Sequence, residues 1–171
     1  MSRGPAAAAG EGGRGGRTAL LLLFASAMGW LEGVVVVYIR GLLGAAHGPE
    51  TPLPAEVVAR FDQIPWLLAT EQSREAATLI ILAAVAWLSA RSARGRWGAF
   101  LFIFGVWDIV YYVALYAMLR WPPHLTTMDV LFLLPPGHWW YQPVWLPALL
   151  SCVMIAIGFV LFSESEPSPG R

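Results

Sequence analysis

Residues 67–90 read LLATEQSREAATLIILAAVAWLSA: a charged opening, Glu71, Arg74 and Glu75, runs without a break into a largely apolar stretch. A membrane-spanning helix needs about 20 apolar residues, because about 30 Å of hydrocarbon is crossed at about 1.5 Å per residue. We read this stretch, from about Leu67 to Ala90, as a span. Three more flank it: Thr18 to Ile39, about Trp97 to Leu119, and about Pro143 to Phe162. The expected fold is therefore an all-α integral membrane protein, a four-helix transmembrane bundle.

Composition agrees. Of 171 residues 57% are hydrophobic and 13% charged, about half the charge of an ordinary soluble domain. Eleven basic residues, all Arg, meet eleven acidic ones, which excludes a basic nucleic-acid binder. The lone Cys152 lies inside the fourth span and forms no intrachain disulfide. Walker A, Gly-x-Ser-x-Gly, His-Glu-x-x-His and Cys-x-x-Cys motifs are all missing.

Residues 1–17 hold six Gly and three Arg without apolar periodicity and are expected to form a disordered tail, as are residues 163–171. Residues 18–162 then form one membrane domain. Ala25-Ser26-Ala27 has the form of a signal-peptidase site, but Val34 to Ile39 carries the apolar run to spanning length, so we read a retained helix. Arg3, Arg14, Arg17, Arg91, Arg94, Arg96 and Arg171 fall on one side of the membrane, and Arg40, Arg60 and Arg120 on the other. The positive-inside rule then makes both termini cytoplasmic, in a plasma (inner) membrane.

The two outward connections differ. Gly41 to Trp66 is punctuated by four prolines and has room for a short amphipathic helix from Ala55 to Ile64. Arg120 to Gln142 encloses a run, Val130 to Leu134, too short to cross and fenced by Pro122-Pro123 and Pro135-Pro136. A short re-entrant or interfacial helix is expected there as a lid on the outer mouth, started by a Thr126/Asp129 capping box. His124, Asp129 and His138 belong to this lid, and Trp121, Trp139, Trp140, Tyr141 and Trp145 form an aromatic belt. No span contains a His, which argues against a bis-His haem or a di-iron bundle.

Carboxylates within a bilayer are costly and face the protein interior or a cavity, so each is a functional-site hypothesis. The spans hold four, Glu32, Glu71, Glu75 and Asp108, against one basic residue, Arg74. Helical rise places them all in the outer half or near mid-depth. Glu71, Glu75 and Thr78 share one helix face with Arg74 beside them, and Asp108 shares a face with Tyr112, whose hydroxyl can reach it. Ala25, Gly29 and Gly33 form a small-residue stripe whose close packing turns Glu32 inward. Thr70 is the expected N-cap of the second span, with Glu71 in its first turn.

Three uncompensated negative charges are untenable in this setting. They call for protonated acids, a bound divalent cation held by Glu32, Glu75 and Asp108, or Arg40, Arg60 and Arg120 folding back. The leading expectation is an outward-facing acidic site, Glu32, Glu71, Arg74, Glu75, Asp108 and Tyr112, that binds a cation or exchanges protons. The alternatives are a membrane-embedded enzyme using paired carboxylates on a lipid-borne substrate, and a structural subunit of a larger membrane complex or homo-oligomer.

Overall fold

The computed structural model describes residues 5–44, 59–134 and 138–165, with the side chains of 5–14 and His138 outside the description. It is mostly helical: α1 (Pro5–Leu42), α2 (Leu67–Ser89), α3 (Ala93–Leu119) and α4 (Trp145–Glu164), with two short strands, β1 (Met128–Val130) and β2 (Tyr141–Pro143), between α3 and α4. Three segments, Gly15–Leu42, Ala93–Leu119 and Trp145–Glu164, are long and apolar enough to cross a membrane. The 23 residues of α2 reach about 35 Å, but its charged first turns leave it short of that apolarity. The α1 helix continues back to Pro5, through residues expected to lack order; propagation onto a formed helix needs no new nucleus.

The hub is α3, against which α4, α1 and α2 pack in decreasing extent, while α1 and α2 barely approach one another. Two glycine seams set this arrangement. A Cβ at Gly33 would lie 2.7 Å from the Ala114 Cβ, and one at Gly29 would run into the Trp107 carbonyl. Ala25 is fully buried, so the small-residue stripe of α1 is indeed a packing surface. On the other side, a Cβ at Gly98 would lie 2.5 Å from the Phe162 amide nitrogen. Ser92 caps α3, its hydroxyl accepting from the Gly95 N–H at 3.1 Å.

Between α3 and α4 the chain departs from expectation. In place of a lid helix, β1 and β2 pair antiparallel, with Asp129 opposite Gln142 and Val130 opposite Tyr141. The run is too short to repay helix nucleation, and its flanking prolines favour extended neighbours. Asp129 is consequently no helix cap. The only helical piece of the connection among the described residues is a 3-10 turn, His138–Trp140. The segment after β1 does penetrate the fold: the Phe132 ring lies 6.5 Å from Phe104 and 6.4 Å from Trp107. In the connection between α1 and α2 residues 59–62 are helical; the rest of the expected Ala55–Ile64 helix up to residue 58 lies outside the described residues.

Candidate functional site

The buried face of α2 is its polar one. Glu71 and Glu75 are 5% and 8% exposed, and Thr78 is buried on the same stripe. A helix buries such residues only against partners, and Arg74 supplies the first set. Its Nη1 lies 2.5 Å from Glu32 Oε1 on α1, and its Nε donates to Glu71 Oε2 at 2.7 Å. One guanidinium thus serves two carboxylates and ties α1 to α2. Glu71 is a buried ion-pair member rather than an interfacial first-turn acid. Thr70 does not cap the helix either: α2 starts at Leu67, and the Thr70 hydroxyl donates to the Trp66 carbonyl.

The second set comes from the penetrating loop. Both Glu75 oxygens accept from the Leu133 N–H at 3.0 Å, and Gln72 Nε2 donates to the Leu133 carbonyl at 3.2 Å. Non-helical backbone at depth requires partners of this kind. Sequence reasoning passed over Gln72, although it sits one residue from an acid on a helix that was already read as partly polar.

On α3, Asp108 accepts from the Ser151 hydroxyl of α4 at 2.8 Å. Gly105, one turn before Asp108, lets α4 come close enough for this: a Cβ there would lie 2.6 Å from the Ser151 carbonyl. Contrary to the expectation from helical spacing, Tyr112 does not bond Asp108. Its hydroxyl donates to Asp129 Oδ2 at 3.1 Å, because β1 brings that carboxylate over the helix. Ser151 also escaped the sequence reading, though it is the one hydroxyl between Trp145 and Phe162.

These groups surround a cavity of about 150 Å³. Five carboxylates line it, Glu32, Glu71, Glu75, Asp108 and Asp129, together with three arginines, Arg40, Arg60 and Arg74. Phe61, Trp107, Tyr111 and Tyr112 contribute aromatic wall. Arg40 and Arg60 do fold onto the site, whereas Arg120 lies over the Tyr116 ring and does not line it. The Arg40 guanidinium stacks 3.9 Å from the Trp121 ring centre, which draws Trp121 out of the expected belt into a buried position. Arg60 Nη1 donates to the Leu43 carbonyl at 3.3 Å.

Among the described residues, only Glu32 and Glu71 of the five acids have an ion-pair partner. Asp129 is buried, and burial holds its carboxyl up to about 6, against the pull of Arg40, the Tyr112 hydroxyl and the Val130 N–H. The Trp107 indole N–H is buried without a partner among these residues.

No group of three His, Cys, Asp or Glu side chains among the described residues is placed to hold a metal ion. Glu32, Glu75 and Asp108 therefore do not form the expected cation ligand set: Arg74, Leu133 and Ser151 respectively take them in different directions. His124 is exposed and lines no part of the cavity, and the His138 side chain lies outside the described residues. No protein-family model, curated protein or solved structure matches the chain.

Proposed function

We propose that the chain is a four-span membrane protein, with both termini cytoplasmic and α2 as the fourth span, whose outward-facing chamber binds a small organic cation or exchanges protons. On this reading α2 crosses because its charges are not exposed to lipid: Arg74, Glu32 and the Leu133 backbone satisfy them. The observation that carries the functional reading is the charge balance of the cavity wall, five carboxylates to three arginines, with Glu75, Asp108 and Asp129 outside any ion pair among the described residues. A protonated amine offers N–H donors to such carboxylates, and a proton can neutralise one of them. Without a convergent ligand triad, a bare divalent ion is the weaker candidate.

The test uses purified protein in detergent and ethanolamine as the probe, followed by calorimetry or ligand-observed NMR. Wild type is expected to bind it and Asp108→Asn to lose most of that binding. Equal signals from both, or none from wild type, count against an acidic amine site. A second reading, a structural or assembly subunit, draws on the bonds from Glu75 and Gln72 to Leu133, since these residues satisfy backbone whether or not a ligand enters. Stoichiometric co-purification of a partner would favour it.

A further inference from the structure

The walls of the chamber are not equally firm. One turn inward of Thr78 and of Trp107 stand Leu82 and Ile103, neither with any exposed surface. They share one buried apolar cluster with Leu21 and Ala25 of α1 and Ala86 of α2, so the chamber has a dry floor. One flank of α2 is closed by backbone: Gln72 and Glu75 hold Leu133, and the adjoining Phe132 ring packs near Phe104 and Trp107.

The other flank is built differently. At about 100° per residue Arg74 stands about 200° around α2 from Gln72, turned away from the loop and toward α1. There α1 and α2 barely approach one another, and the Arg74–Glu32 pair bridges the gap. By helical spacing Leu31 and Val35 of α1 and Ala77 and Ile81 of α2 border this bridge on the side away from α3. All four are apolar, and Leu31, Ala77 and Ile81 are exposed. Gly29 meets the Trp107 carbonyl, which sets Asp108 just inward of Glu32, and Ala77 stands just inward of Arg74. Asp108 is therefore behind the gap, at about the level of Ala77. Its Oδ2 accepts from Ser151, and its Oδ1 has no hydrogen bond among the described residues.

We propose that the chamber takes its ligand from the membrane through this gap: a long-chain primary amine, its ammonium group at Asp108 and its alkyl chain lying out between α1 and α2. An ammonium group brings N–H donors to the open carboxylate oxygen. A cavity of about 150 Å³ accepts the head and first carbons, and the apolar lips at Leu31 and Ile81 receive the rest. The chain also concentrates the amine in the bilayer. Parting two side chains opens this flank, whereas the floor and the loop flank open only by breaking packing or backbone hydrogen bonds. This assignment rests on the acidic amine site and the topology proposed above.

The experiment uses the full chain in phosphatidylcholine nanodiscs and a dodecylamine carrying a diazirine on its chain, with the crosslinks mapped by mass spectrometry. Labelling is expected on Leu31, Val35, Ala77 and Ile81 above the level on α4, and excess dodecylamine should suppress it where excess dodecanol does not. Asp108→Asn keeps an acceptor for Ser151 and should weaken the labelling about tenfold, through loss of a charge-assisted bond. Ala77→Trp fills the gap outside the chamber. It should abolish the localised labelling and leave ethanolamine binding in detergent intact, and that retained binding shows the variant is folded. Equal labelling around all the helices, suppression by dodecanol, or labelling that persists in Ala77→Trp overturns entry through the gap, while ethanolamine binding to wild type still supports the amine site. Localised labelling untouched by Asp108→Asn overturns the placing of the amine. If ethanolamine does not bind and no labelling is localised, both readings fall together.

Discussion

The two sides of α3 are built on opposite plans. Toward α4, glycines bring the backbones together until no Cβ would fit at Gly98 without displacing Phe162, and the seam is mostly apolar, crossed by the Ser151–Asp108 hydrogen bond and, at its end, an Arg94–Glu164 ion pair. On the opposite side α1 and α2 barely approach one another, and the space between them is spanned by the Arg74 guanidinium, several carboxylates and a loop. A seam made by dispersion and shape must be dry and full. A junction made by charge tolerates a cavity, provided each charge is answered. The α4 side should therefore respond to changes in volume, and the α2 side to changes in charge.

The largest expected effect is at Arg74. Arg74→Ala strands Glu32 and Glu71, whose side chains are only 11% and 7% exposed, at a cost of about 3–5 kcal/mol. Adding Glu32→Gln and Glu71→Gln to that variant should recover most of the loss, because no buried charge is then left unanswered. Thermal unfolding in detergent reads both. If the triple variant is as unstable as the single one, charge is not what holds α1 to α2.

Next is a pH effect at Asp129. The folded state keeps this carboxyl protonated up to about 6, against an ordinary value of 3.8, so between these values the folded protein binds more protons than the unfolded one. Stability should be fully present below about pH 4 and fall as pH rises through about 6, by about 2–3 kcal/mol in all. Asp129→Asn keeps an acceptor for Tyr112 and should flatten this slope while leaving the low-pH stability little changed. The groups acting on the carboxylate are Arg40, Tyr112 and Asp108.

The charged side of α3 was more legible in the sequence than the dry side. Four acids and one arginine stand out against apolar background, and helical spacing assigns Glu71, Glu75 and Thr78 to one face. Their partners were not legible, because they are long-range: Leu133 is 58 residues from Glu75, and Ser151 is 43 from Asp108. Backbone atoms of a loop leave no residue-type signal at all. The lid was misread for a related reason. Thr126 and Asp129 have local capping spacing, but a buried carboxylate follows its strongest donor, and tertiary packing put Tyr112 beside it. The Gly29 and Gly33 stripe was legible by its i, i+4 spacing, whereas Gly98, Gly105 and Gly158 pair across two helices and gain meaning only once α3 and α4 are side by side.

The dry seam gives the third expectation. Gly98→Leu forces a side chain into the Phe162 backbone and should cost about 1–3 kcal/mol or more, with loss of monodispersity on size exclusion. Gly15→Leu, where nothing lies within 4 Å, should leave stability unchanged. A mild Gly98→Leu phenotype would mean that α3 and α4 can separate, and the contrast between the two seams would weaken.

The smallest effect probes the loop that closes the charged side. Gln72→Ala removes the donor to the Leu133 carbonyl, a partly buried hydrogen bond whose loss costs about 1 kcal/mol. Glu75→Gln should cost less, since an amide oxygen still accepts from the Leu133 N–H while a charge is removed. Global stability will hardly separate these variants, so hydrogen exchange at Leu133 is the better reading: faster in Gln72→Ala and little changed in Glu75→Gln. The comparison matters because it separates two roles for Glu75. If only the hydrogen bond counts, Glu75→Gln should keep the loop in place and leave ethanolamine binding as it was. If the charge also serves the chamber, the loop stays protected while binding falls, and that split is what an amine site predicts.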